Sequence, residues 1–167
     1  MLKKLLLITM LIGVLASCNR VDNKVIPTYT VRLDLGTYGV WNTYGVNGAG
    51  DYRIFNRDKR LPANFPYNAN MYTGFGGVLL IMGFDASTAS YAPLAFDAAC
   101  PVERRMEYTL TVDPSNFEAV CPKCGSRYNV LTGSGGPISG TALAQKVGLT
   151  TYKCRQSVNG GYIITSY

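Results

Sequence analysis

The chain has 167 residues, with 16 Lys or Arg against 10 Asp or Glu and a formal net charge of +6. That length suffices for one domain with a real core. With 47% hydrophobic and only 16% charged residues, the composition excludes a disordered chain. There is no His, which excludes Ser-His-Asp and Cys-His catalysis and every His-ligated metal site.

The first 17 residues read as a secretory signal. Lys3 and Lys4 form a basic start, and Leu5 to Ala16 form an apolar core too short to span a bilayer as a stable helix. The run Leu15-Ala16-Ser17-Cys18 resembles the bacterial lipobox, in which the signal is cut before a Cys that is then lipidated. Lipidation of Cys18 would anchor the chain stably in a membrane, in the cell envelope and outside the cytoplasm, on the periplasmic face or the cell surface. The polar residues Asn19 to Lys24 read as a tether, so residues 18–25 are expected to form the lipidated Cys and its linker. Setting Lys3 and Lys4 aside leaves 14 basic residues against 10 acidic, a net +4. The excess is scattered and never alternates with aromatics, so no nucleic-acid partner is expected.

From residue 26 to 167 one domain is expected. Tyr29, Val31, Leu33 and Leu35 alternate with polar residues, the period of a half-buried strand. Tyr38 to Trp41 is a second short apolar piece, Asn47-Gly48-Ala49-Gly50 is a turn, and Asp51 to Asn56 reads as a strand. Residues 57–72 read as a loop whose aromatics lie on the core. Val78 to Phe84 is a continuous apolar run of strand length, expected to be buried on both faces. With Tyr91 to Phe96 it forms a hairpin that delivers Cys100. Thr109 to Val112 and Phe117 to Val120 are short strands, the second delivering Cys121. Tyr128 to Leu131 also reads as a strand, followed by a Gly-rich loop from Thr132 to Gly140. Thr141 to Lys146 allows one helical turn at most. Leu149 to Cys154 and Tyr162 to Ser166 form a last hairpin across Asn159-Gly160-Gly161. With twelve Tyr, 18 Gly and no convincing amphipathic helix, the fold class is all-β.

The chemistry lies in the cysteines. Cys121-Pro122-Lys123-Cys124-Gly125 is a CxxC in which a turn aims both sulfurs at one centre, and Cys100-Pro101 supplies a second loop. An iron–sulfur cluster, a zinc ion, a disulfide and a cofactor-free turn are all compatible with this pattern. A redox CxxC of the thioredoxin type needs a helix beginning at the motif to lower the thiol pKa, whereas here a strand-like stretch follows Gly125. Arg104, Arg105, Lys123 and Arg127 lie near the tip, as solvated charge or as contacts for an acidic partner.

Cys121-Pro122-Lys123-Cys124-Gly125-Ser126-Arg127-Tyr128 resembles the second ligand loop of Rieske-type [2Fe–2S] domains, and Cys100-Pro101-Val102 resembles the first. The stretch from Gly76 to Pro101 is similar to Rieske-like lipoproteins of Bacteroidetes-type bacteria. The resemblance covers roughly residues 74–166. It implies antiparallel sheets or a small barrel carrying a loop-borne cluster-binding subdomain. The chain departs from the family at both ligand His positions, where Val102 and Cys124 stand. A two-Cys, two-His centre therefore does not form.

Cys100, Cys121 and Cys124 would fill three of four metal-ligand positions. Cys154 is a fourth ligand or, sharing the face of Tyr152 in a strand, a buried thiol. Ser126 and Tyr128 match the family's hydrogen-bond donors to the cluster. The resemblance implies an electron-transfer-type module holding a [2Fe–2S] cluster or other metal, with a redox partner protein and no stand-alone catalysis. The alternative is a degenerate Rieske fold with structural zinc, or with no cofactor and a disulfide from Cys100 to Cys121 or Cys124.

Overall fold

The period-two alternation from Val31 onward forms strand β1, Val31–Thr37. Val31, Leu33 and Leu35 point inward and are buried, while Arg32 faces solvent. A computed structural model of the chain describes residues 20–86 and 88–166. The expected leader and Cys18 lie outside those residues.

The next element departs from the sequence reading. Tyr38–Tyr44 is a short helix, α1. The Thr37 hydroxyl caps it by accepting the Val40 N–H at 3.4 Å. Gly39, Val40 and Thr43 are weak helix formers, so α1 is set by packing. Trp41 is buried and its ring lies 4.6 Å from that of Tyr162. A pattern confined to two turns gives periodicity little to register.

The remaining strands are β2 (Tyr52–Phe55), β3 (Tyr72–Thr73), β4 (Val78–Asp85) and β5 (Ser90–Asp97), then β6 (Thr111–Val112), β7 (Ala119–Val120), β8 (Arg127–Tyr128) and β9 (Pro137–Ser139), and last β10 (Thr151–Gln156) and β11 (Gly160–Thr165). A second short helix, α2, covers Thr141–Gln145. The fold is all-β, as expected. Seven strands form an antiparallel sheet in the order β2-β4-β5-β10-β11-β1-β3. This sheet curls until its two edges nearly meet. Arg57, just beyond β2, donates from its backbone N–H to Thr73 Oγ1 on β3 at 3.3 Å and from Nη1 to the Met71 carbonyl at 3.0 Å. The loop through residues 57–71 closes the barrel with Phe65, whose ring packs edge-on to Phe55 at 5.1 Å. The loop's expected end at residue 72 instead supplies the short strand β3.

Strand β4 is the wall between two cores. Val78 and Leu80 join the barrel interior with Leu33, Leu35, Phe55 and Ile164. Leu79 and Ile81 point the other way, into a second core with Phe96, Leu110, Tyr128 and Leu149. Val78 to Ile81 are buried on both faces, as the unbroken apolar run predicts, but the cover stops short of its end, where Met82 is half-buried and Phe84 is exposed. Each large side chain so buried contributes about 1.5–3 kcal/mol.

The second core is roofed by a four-stranded antiparallel sheet ordered β6-β7-β8-β9. It is tied to the barrel where Leu110 N–H meets the Ala98 carbonyl at 2.8 Å and Ala99 bridges Thr109. Strand β9 arises within the expected Gly-rich loop and owes its extended form to pairing with β8.

The expected tether is docked from Asp22 onward. Asp22 N–H donates to the Lys146 carbonyl and Gly148 N–H to the Asp22 carbonyl, each at 2.9 Å, which is one parallel bridge. Thr150 Oγ1 donates to the Asn23 carbonyl at 2.8 Å. On Asp22 and Asn23 the groups that bond are backbone ones, which the side chains of 20–24 do not reveal.

Candidate metal centre

Two loops build the site. The first leaves β5 at Asp97, a fully buried carboxylate. It accepts N–H groups from Phe75 at 3.1 Å, Gly76 at 3.0 Å and Ala99 at 2.8 Å, and the Tyr152 hydroxyl at 2.6 Å. Asp97 thereby ties the 74–77 turn, the first loop and β10 together, three residues before Cys100. Gly76 lets the turn press this close, since a Cβ there would meet Ala99 N at 2.4 Å. Burial pushes the Asp97 pKa up, partly offset by its four donors.

The second loop is the turn from β7 to β8. Cys121 N–H donates to the Ser126 carbonyl and Gly125 N–H to the Cys121 carbonyl, each at 2.9 Å. Gly125 sits at φ +68, the left-handed conformation this tight turn needs. The CxxC is therefore folded back on itself with no helix following, and both sulfurs face the first loop.

The sulfurs of Cys100, Cys121 and Cys124 all lie within 4.8 Å of one another. Cys100 Sγ is 3.7 Å from Cys124 Sγ and 3.4 Å from the Tyr128 hydroxyl. Cys100 and Cys121 are buried and Cys124 is half-exposed, so the group opens to solvent on the Cys124 side. All three are free thiols. Cys124 Sγ is 3.2 Å from Ser126 Oγ, which is buried and also accepts the Ala142 N–H from α2 at 3.1 Å. With one proton and two lone pairs, the Ser126 hydroxyl can hold the Ala142 N–H and donate to a Cys124 thiolate at once.

The three sulfurs are electrostatically unequal. Burial pushes the Cys121 thiol up to about 12. Burial also opposes ionisation of Cys124, but the Ser126 hydroxyl and N–H and the facing thiols outweigh it, leaving its pKa below the ordinary thiol value. Tyr128 is pushed up by burial and by its bond to Cys100, so it stays a neutral donor.

Other residues singled out in the sequence fall elsewhere. Cys154 packs against the barrel core beside Tyr152, apart from the thiol group, and burial raises its pKa to about 12. Val102 is half-buried against the second core and offers no donor atom. Arg127 is ion-paired to Asp113 and Glu118, so it braces the β6–β7 turn. Lys123 lies 5.9 Å over the Tyr108 ring. Arg104 and Arg105 are solvent-exposed. Asp97 is the residue the sequence reading missed. Its one signal is an acid alone in the apolar run from Leu94 to Cys100, where a buried charge requires partners.

Three thiols from two loops, with no Asp or Glu joining them among the described residues, form a group that can hold a thiophilic metal ion. Searches of family models, curated proteins and solved structures find nothing that matches this chain.

Proposed function

We propose that this chain is a lipid-anchored, Rieske-like envelope protein whose Cys100, Cys121 and Cys124 hold one thiophilic metal ion, with zinc the best-fitting. The observation that carries this reading is the convergence of three sulfurs within 4.8 Å. A tetrahedral ion with metal–sulfur bonds of about 2.3 Å has sulfurs about 3.8 Å apart, and Cys100 and Cys124 are 3.7 Å apart. A two-iron cluster divides its ligands between two metals. Cys124 stands where the Rieske pattern serves the second iron, yet it lies beside Cys100 on a single centre. The soft donor set suits zinc, and the half-exposed side at Cys124 leaves the fourth position to solvent or an added ligand. The lipid anchor rests on Leu15-Ala16-Ser17-Cys18.

A second reading, a [2Fe–2S] electron-transfer module with a redox partner, is favoured by the Tyr128 and Ser126 hydroxyls beside the sulfurs, since such donors raise cluster potentials. Metal and acid-labile sulfide analysis of protein purified with and without oxygen separates the two. Stoichiometric zinc without sulfide supports the first, and iron with equal sulfide supports the second. Absence of any metal, with a disulfide between Cys100 and Cys121 or Cys124, refutes both and leaves the cofactor-free fold. Partition of full-length protein into detergent, lost in Cys18→Ser, tests the anchor.

A further inference from the structure

The docking of residues 22–24 fixes which face of the domain an anchor at Cys18 would hold against the membrane. Only Asn19, Arg20 and Val21 separate Cys18 from Asp22, and Asp22 is bonded to Lys146 and Gly148. Four residue steps span at most about 14 Å. A lipidated Cys18 therefore leaves this face too little chain to turn away from the bilayer.

The face is chemically suited to that position. Arg20, Lys24 and Lys146 are exposed on it, against one acid, Asp22, whose carboxylate accepts the Lys24 N–H at 2.9 Å. Val21 and Leu143 add exposed aliphatic surface, Leu143 being 51% exposed. From Ala119 to Tyr167 the sequence holds Lys123, Arg127, Lys146, Lys153 and Arg155 and no Asp or Glu. Within it, Arg127 is ion-paired to Asp113 and Glu118. Basic side chains around exposed aliphatic ones are what an anionic lipid surface attracts.

We propose that the face formed by residues 20–24, α2 and Lys146 rests on anionic lipid headgroups, so that the thiol group sits at the membrane-proximal end of the domain. This inference rests on the lipidation of Cys18. The link to the site is α2. Its Ala142 N–H holds Ser126, which holds Cys124, and Lys146 follows the helix directly. Those two contacts of 3.2 and 3.1 Å and four residue steps of about 6 Å in all put the thiol group no more than about 12 Å from Lys146.

Full-length lipidated protein in phosphatidylglycerol-rich vesicles tests this through quenching of single added tryptophans by brominated lipids. Leu143→Trp reports the proposed face. Val158→Trp reports the turn between β10 and β11, about 20 Å away along β10. Trp41, buried in the barrel, gives both the same background. Strong quenching at Leu143→Trp and none at Val158→Trp is expected. Adding Lys24→Glu and Lys146→Glu is expected to lower the docking equilibrium constant by at least about 30-fold without releasing the protein from vesicles. Equal quenching at the two positions, or indifference to the charge reversals, overturns the orientation while leaving the anchor intact. Failure of the wild-type chain to float with vesicles overturns the anchor and this inference with it.

Discussion

Asp97 is where the fold holds the three-thiol group in place, and its removal has a calculable effect. In Asp97→Ala, the N–H groups of Phe75, Gly76 and Ala99 and the Tyr152 hydroxyl lose their common acceptor. Each buried donor left unpaired costs about 1–3 kcal/mol. The four share one acceptor and relax together, so the expected loss is about 4 kcal/mol rather than their sum. Against a domain stability of about 5–15 kcal/mol, that variant is close to unfolded. Asp97→Asn is the informative one. Its amide oxygen keeps part of the donors while its NH2 faces the others, for an expected loss of about 2 kcal/mol. Tyr152→Phe removes one donor together with its bond and is expected to cost about 1 kcal/mol.

Urea unfolding of the metal-free protein measures all three. Chelator competition measures the second consequence. Asp97 lies three residues before Cys100, so loosening it is expected to weaken zinc binding by about 10–100-fold in Asp97→Asn, with little change in Tyr152→Phe. Stability of Asp97→Asn within about 0.5 kcal/mol of the wild type, with unchanged zinc affinity, would refute the claim that this carboxylate positions the first loop.

Other outcomes follow from the thiol chemistry. Cys100→Ser, Cys121→Ser and Cys124→Ser should each weaken zinc binding by at least about 100-fold, as loss of a direct ligand exceeds loss of a supporting contact, while Cys154→Ala leaves it unchanged by chelator competition. In the metal-free protein, mass spectrometry after brief alkylation near neutral pH should find Cys124 modified first, because it is half-exposed with a lowered pKa. Ser126→Ala should slow that reaction and destabilise the domain by about 1–2 kcal/mol through the unpaired Ala142 N–H. The metal-free protein should also lose stability in alkali. Cys121 and Cys154 have folded-state values raised from 9.0 to about 12, so the folded chain binds more protons than the unfolded one between those values. Their contribution is fully present below pH 9 and declines as pH rises toward 12, a slope that Cys154→Ala should reduce in melting curves.

The sequence carries much of this fold where patterns are long. The alternation from Val31 to Leu35 and the run from Val78 to Phe84 are set by burial on one face or two, which residue types record directly. The thiol group was legible for a similar reason, since Cys-Pro turns after short strands are local features. What escaped depends on distant partners. Trp41 makes α1 helical by meeting Tyr162, more than a hundred residues on. The strand β9 and the docking of Asp22 are backbone pairings, indifferent to the side chains that a sequence displays. Asp97 looked like a stray acid because its four donors come from three separate segments. The placement of Cys154 with the barrel core followed from its sharing a strand face with Tyr152, a two-residue argument that needs nothing remote.

Strand β4 has a consequence for how the chain reaches this state. Val78 to Phe84 is seven residues with no charge and no proline, the composition from which cross-β aggregates are built. In the finished domain both of its edges are paired, to β2 and β5, and its first four residues are covered on both sides. An unfolded chain has none of that cover. The β4–β5 hairpin can close locally and β2 lies earlier in the chain, but the outer face of β4 stays bare until the β6–β9 sheet, built from residues after 110, has assembled. Until those arrive, the strand is a sticky template, and variants that delay the second core are expected to be lost to aggregation before they are lost to unfolding.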